Sequence, residues 1–136
     1  MLMNFGKFYL MFQTIHNIVG MRHNILDNLS DYADKIRAGV ATADQIKQTI
    51  QEDVIQYQRR LGWITPLLNA AQDKAVIEDA LAAAGIPTTE LQEAHNQLTA
   101  AVSYLSNQIP NITKAEDLGN IKQSIKAMLP NYKKLW

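Results

Sequence analysis

Five consecutive large apolar side chains, Phe8-Tyr9-Leu10-Met11-Phe12, stand near the start of this chain, and all three of its phenylalanines, Phe5, Phe8 and Phe12, fall within the first twelve residues. The run continues downstream as a heptad pattern. With Phe5 as position a, the a sites are Phe5, Phe12, Val19, Leu26 and Ala33. The d sites are Phe8, Ile15, Arg22, Leu29 and Ile36, and the g sites are Asn4, Met11, Ile18, Ile25 and Tyr32. Thirteen of these fifteen are apolar or aromatic, which is the period of a helix and not the alternation of a strand. The pattern predicts one long helix over 7–38. Gly20 sits inside it at a cost of about 1 kcal/mol against alanine, and Gly39 is the expected C-terminal cap, following Lys35 and Arg37 in the last turn.

On a helix, five successive residues cover every direction at ~100° each, so Phe8–Phe12 forms an apolar ring rather than a stripe. A helix over 7–38 would be ~48 Å long at about 1.5 Å per residue. A compact chain of this length has a diameter of only roughly 37 Å. The expectation is that the Phe-rich end outruns the body and is covered by more protein or, as a rival, by lipid. Phe5, Phe8, Met11, Phe12, Ile15, Ile18, Val19 and Arg22 are the candidate protein-interface residues. The competing reading is that the remaining helices cover this face within one chain. Arg22 interrupts the stripe at a d site; either it sets register, as a polar core residue does in a coiled coil, or it snorkels past the stripe's edge, and the second is the simpler reading.

Downstream, capping motifs and apolar periodicity mark further helices. Thr42-Ala43-Asp44-Gln45 has capping-box form, and Ile46, Ile50, Val54, Tyr57, Leu61, Ile64 and Leu68 then step by three or four. Gly62 and Pro66 predict a break or kink near 62–66, with a third helix carrying Leu67, Ala71, Ala75, Leu81 and Ala84 up to Gly85-Ile86-Pro87. Thr89-Glu90-Leu91-Gln92 opens a fourth helix, with Leu91, His95, Leu98, Val102, Leu105 and Ile109 as its stripe and Pro110-Asn111 as its stop. Thr113-Lys114-Ala115-Glu116 opens a fifth, carrying Leu118, Ile121, Ile125 and Met128 up to Pro130. No hairpin dipeptide or alternating Val/Thr segment suggests a strand. The fold class expected is all-α: an antiparallel bundle of about five helices in a single domain over 1–136, with the long apolar helix in 1–39 and the helical body in 40–136.

Composition narrows the functional classes. Thirteen basic residues balance thirteen acidic ones, so no global field draws nucleic acid. Five lysines against Glu116 and Asp117 make 113–136 the one basic stretch, and its lysines fit a helix dipole as well as they fit phosphate. Cysteine is absent, which removes disulfides, thiolate metal sites and a Cys nucleophile. The apolar N-terminus lacks the basic leader and small-residue cleavage site of a secretory signal, and polar residues interrupt it too often for a membrane span of ~20 apolar residues.

Reactive constellations are sparse. His16 and His23 lie seven residues apart on one helix, ~10 Å along the axis and too far for a single metal. His95 falls on an apolar stripe and reads as a core or boundary histidine. The acidic pairs Glu52-Asp53, Glu78-Asp79 and Glu116-Asp117 are adjacent and diverge on a helix. Asp27, Asp31 and Asp34 read as a solvated face. There is no Glu-x-x-His pair, no phosphate loop and no nucleophile elbow. Neither a cofactor, a metal nor a catalytic residue is assigned from sequence. The functional expectation is a non-enzymatic structural or assembly protein, a virion (phage) component or a cytoplasmic one, that contacts copies of itself or other proteins through its N-terminal helix. The alternatives are a small regulatory or inhibitor module that binds through the same face, and a peripheral membrane protein anchored by the Phe-rich end. Nucleic acid ranks last among the partners.

Overall fold

Local signals place the helices of the computed structural model, which describes residues 2–69 and 88–129, with side chains described over 16–65 and 92–129. Helix α1 (Leu2–Arg37) is 36 residues long, ~54 Å at about 1.5 Å per residue. It ends as its sequence predicts. Gly39 takes φ +73°, its N–H donates to the Ile36 carbonyl, and the Val40 N–H reaches back to the Lys35 carbonyl at 3.0 Å. This is a Schellman closure around a left-handed glycine. Helix α2 (Ala43–Asn69) opens with the full reciprocal cap: the Gln45 N–H donates to Thr42 Oγ1 at 3.2 Å and the Thr42 N–H to Gln45 Oε1 at 3.0 Å.

Helix α3 (Thr88–Gln108) runs into a 3-10 turn over Ile109–Asn111 with Pro110 inside it. The Gln92 side chain donates forward to Asn96 Oδ1. Helix α4 (Ala115–Met128) is capped by Asp117, not by the Glu116 that the sequence suggested. One Asp117 carboxylate oxygen accepts from the Thr113 N–H, the Thr113 hydroxyl and the Lys114 N–H, at 2.9, 2.9 and 3.1 Å. The shift by one residue lets a single carboxylate gather three donors. Those hydrogen bonds, those from Thr113 first, hold its pKa below the ordinary 3.8.

Of the break or kink expected near 62–66, the break is corrected: α2 passes through Gly62 and Pro66 to Asn69. A proline withholds one backbone hydrogen bond and crowds the carbonyl four residues earlier, which here belongs to Gly62. The stripe Ile50, Val54, Tyr57, Leu61 and Ile64 stays buried across this region, so tertiary packing outweighs the local defect. Four α-helices and no strand are found among the described residues, fewer than the roughly five helices expected. The rest of the expected third helix, with Gly85-Ile86-Pro87, lies outside the described residues, as do Glu78-Asp79 and the tail from Pro130 to Trp136.

The helices enclose one buried cluster. Helix α1 packs most extensively on α4, α2 on α3, and α3 on α4, while α1 also touches α2 and α3. Two cross-helix hydrogen bonds, Asn28 to Tyr57 and Tyr32 to Asp53, show that α1 and α2 run antiparallel, since the partner number falls as the donor number rises. The buried face of α1 departs from a strict heptad. Ile18, Met21, Ile25, Leu29 and Tyr32 are buried, including Met21 at a c site. A straight helix drifts ~20° per heptad against a seven-residue repeat, so a helix wrapped by neighbours of unequal length buries a 3.6-residue path.

Two glycines on α1 and its cap are expected to respond oppositely to alanine. A β-carbon at Gly20 would meet nothing within 4 Å, so Gly20→Ala should raise stability by up to about 1 kcal/mol. Gly39→Ala forces a β-carbon into the left-handed region and should cost about 1–2 kcal/mol. Urea midpoints of the two variants check both signs.

Candidate functional site

The eight interface residues expected from sequence divide along α1. The backbone is helical through Phe5, Phe8, Met11, Phe12 and Ile15, whose side chains lie outside the described set. Ile18 is fully buried in the core of its own chain, and Val19 packs partly buried against that core. Arg22 is half-buried, beside the fully buried Met21. His16 and His23 are exposed. Asp31 and Asp34 pair with Lys35 and Arg37 at 3.0 and 3.1 Å on a solvated face where such pairs contribute little. Among the described residues no group of three or more His, Asp or Glu could hold a metal, and no helix is long and apolar enough to cross a membrane.

Two polar contacts fasten α1 to its neighbours. The Tyr32 hydroxyl donates to Asp53 Oδ2, while Asn28 Nδ2 donates to the Tyr57 hydroxyl at 3.3 Å. Burial is the largest influence on both Asp53 and Tyr32. It raises the Asp53 carboxyl above 3.8 despite the hydrogen bond from Tyr32 that favours the carboxylate. It also pushes the Tyr32 phenol far above its usual range, with the hydrogen bond to Asp53 adding to the effect. On the opposite flank, Lys122 Nζ donates to Ser30 Oγ across α4 and α1. The pair clasps the first helix of the chain to the last, so Lys122 is committed to packing, whereas Lys126 remains exposed. Glu52 and Asp53, adjacent in sequence, diverge as expected: one is exposed and the other reaches Tyr32.

His95 is the buried polar residue of the core, at 6 % exposure. Its Nε2 lies 3.2 Å from the Leu61 carbonyl oxygen and 3.1 Å from Thr65 Oγ1; its Nδ1 is buried without a hydrogen-bond partner. The sequence placed His95 correctly on the core face of its helix. It held no sign that Thr65, 30 residues away, would meet it. Threonine or glutamine facing outward from an amphipathic helix is too ordinary a pattern to mark a site.

Compared with protein families, curated proteins and solved structures, the chain finds no match in any of the three.

The raised Asp53 carboxyl makes a signed prediction. A group whose folded pKa exceeds its unfolded value stabilises the fold at low pH, and that contribution is lost as pH rises through the folded pKa. Urea midpoints of the wild type and Asp53→Asn, taken from pH 7 down towards pH 4, should show the wild type gaining relative to the variant on acidification. Subtracting the variant removes the opposite trend from Asp117, whose lowered pKa weakens the fold as pH falls. A difference that stays flat with pH would remove this role from Asp53.

Proposed function

We propose that the protein is a non-enzymatic structural or assembly protein whose N-terminal helix makes subunit contacts. The observation that supports this reading is the mismatch between α1 and the helix it packs on most. Helix α1 spans 36 residues, or ~54 Å, and α4 spans 14 residues, or ~21 Å, at about 1.5 Å per residue. Ile18 is the first buried residue described on α1. Sixteen residues of the same helix, 2–17, precede it, and they include all three phenylalanines of the chain. A continuous helix with all three phenylalanines of the chain in its first turns suits a contact made between copies, where large aromatic side chains supply most of the binding energy.

Light scattering coupled to size exclusion, over a range of protein concentrations, should find the chain as an oligomer. The double variant Phe8→Ser, Phe12→Ser should keep its helical circular dichroism and its cooperative unfolding while running as a monomer. Wholesale unfolding of that variant, or a wild type that remains monomeric at high concentration, would mean that the Phe-rich turns are covered by their own chain, and the assembly reading would fall.

A further inference from the structure

Helix α2 turns two large apolar side chains outward. Trp63 is 74 % exposed and Ile55 49 %, on a helix whose opposite face buries the stripe from Ile46 to Ile64. At about 100° per residue, Glu52, Ile55 and Arg59 point within roughly 35° of the direction opposite that stripe, and Trp63 within roughly 50°. We propose that this outward seam of α2 pairs with the same seam of a second copy of the chain, antiparallel about a two-fold axis that passes between Ile55 and Gln56.

The charges along the seam select a second copy. Glu52 and Arg59 are ~10 Å apart along the helix, beyond the three- and four-residue spacings at which side chains on a helix meet. None of the residues at those spacings from either one is charged. Both side chains are exposed, and neither has an ion pair among the described residues. The seam therefore presents an unpaired acid at one end and an unpaired base at the other. A two-fold contact is complementary to itself. With the axis midway between the two charges, Glu52 of each copy meets Arg59 of the other, so two ion pairs form at once. The two Ile55 side chains meet at the centre, and each Trp63 lies over Gln48 of the other copy.

The residue types suit a protein contact, since tryptophan and arginine are the commonest energetic centres of interfaces. They suit a polyanion less. Glu52 in the middle of the seam repels a nucleic-acid backbone or an anionic lipid surface, and the chain has no net charge to offset it. Exposed ion pairs are weak, and the seam is one helix wide. The contact dissociates in dilute solution and forms where copies are already gathered, because a raised effective concentration favours it. It uses no residue of α1 and goes beyond the assembly contact placed there.

The test uses the absence of cysteine from the chain, which lets one introduced thiol report the contact. Ile55→Cys in the full-length chain sets two sulfurs beside the axis, within disulfide reach, whereas Gln48→Cys sets them about 22 Å apart along the paired helices. Both are compared under mild oxidation in concentrated solution, each rate divided by that thiol's reaction with a small disulfide. Ile55→Cys should form linked dimers at least about tenfold faster than Gln48→Cys. Adding Glu52→Arg or Arg59→Glu to both thiol variants should lower this ratio about fivefold or more, and reversing both charges in one chain should restore it. Comparing the two thiols in each background cancels the change in net charge. Circular dichroism should match the wild type throughout, and Gln56→Cys, across the axis, replaces Ile55→Cys if that variant misfolds. A wild type that is monomeric in dilute solution would end the α1 contact and leave this pattern intact. Equal rates at 55 and 48, single reversals that leave the ratio unchanged, or a double reversal that fails to restore it would each overturn the proposal.

Discussion

The structure depends on covering one face of a helix far longer than its neighbours. Helix α1 carries Ile18, Met21, Ile25, Leu26, Leu29, Tyr32 and Ala33 into the core, and the burial of each large side chain is worth roughly 1.5–3 kcal/mol. Much of the covering surface comes from α4, at the far end of the chain. The first and last described helices thus close the bundle on each other, and α2 and α3 complete it from the other side. Contacts such as Lys122 to Ser30, 92 residues apart, form only when most of the chain has been brought together.

Polar groups in this bundle act as fasteners between helices more than as reactive centres. Tyr32–Asp53 and Asn28–Tyr57 tie α1 to α2, and the clasp on the other flank ties α1 to α4. Burial governs the first of these: it holds the Asp53 proton more tightly than in a free carboxylate, so the cost of burying this carboxyl eases in mild acid although the hydrogen bond from Tyr32 favours the carboxylate. Asp117 works in the opposite sense, because it is exposed and gathers three donors at the start of α4. Two aspartates in one small bundle therefore respond to pH with opposite signs, and the difference comes chiefly from burial against hydrogen bonding.

The N-terminal turns of α1 carry all three phenylalanines of the chain. His95 on α3, which meets the Leu61 carbonyl of α2, is satisfied on one nitrogen only.

Most of what depends on residues within about one helical turn of each other was legible in the sequence, the shift of the α4 cap from Glu116 to Asp117 apart. The long first helix, its end at Gly39, the Thr42–Gln45 cap and the buried stripes of α2, α3 and α4 all follow from i to i+4 hydrogen bonding and a 3.6-residue apolar period. So does the place of His95 on the core face of α3. What the sequence left open was settled by neighbours distant along the chain. Helix α2 continues through Pro66 because the packing of Leu61 and Ile64 outweighs one lost backbone bond. Met21 rather than Arg22 is fully buried because the surrounding helices select a 3.6-residue path over a strict heptad. Asp53 meets Tyr32 across 21 residues, and His95 meets the Leu61 carbonyl across 34. The sequence alone determines which face of each helix is apolar; which polar groups meet across the apolar faces is decided only by how the helices pack, since no local rule relates residues on different helices.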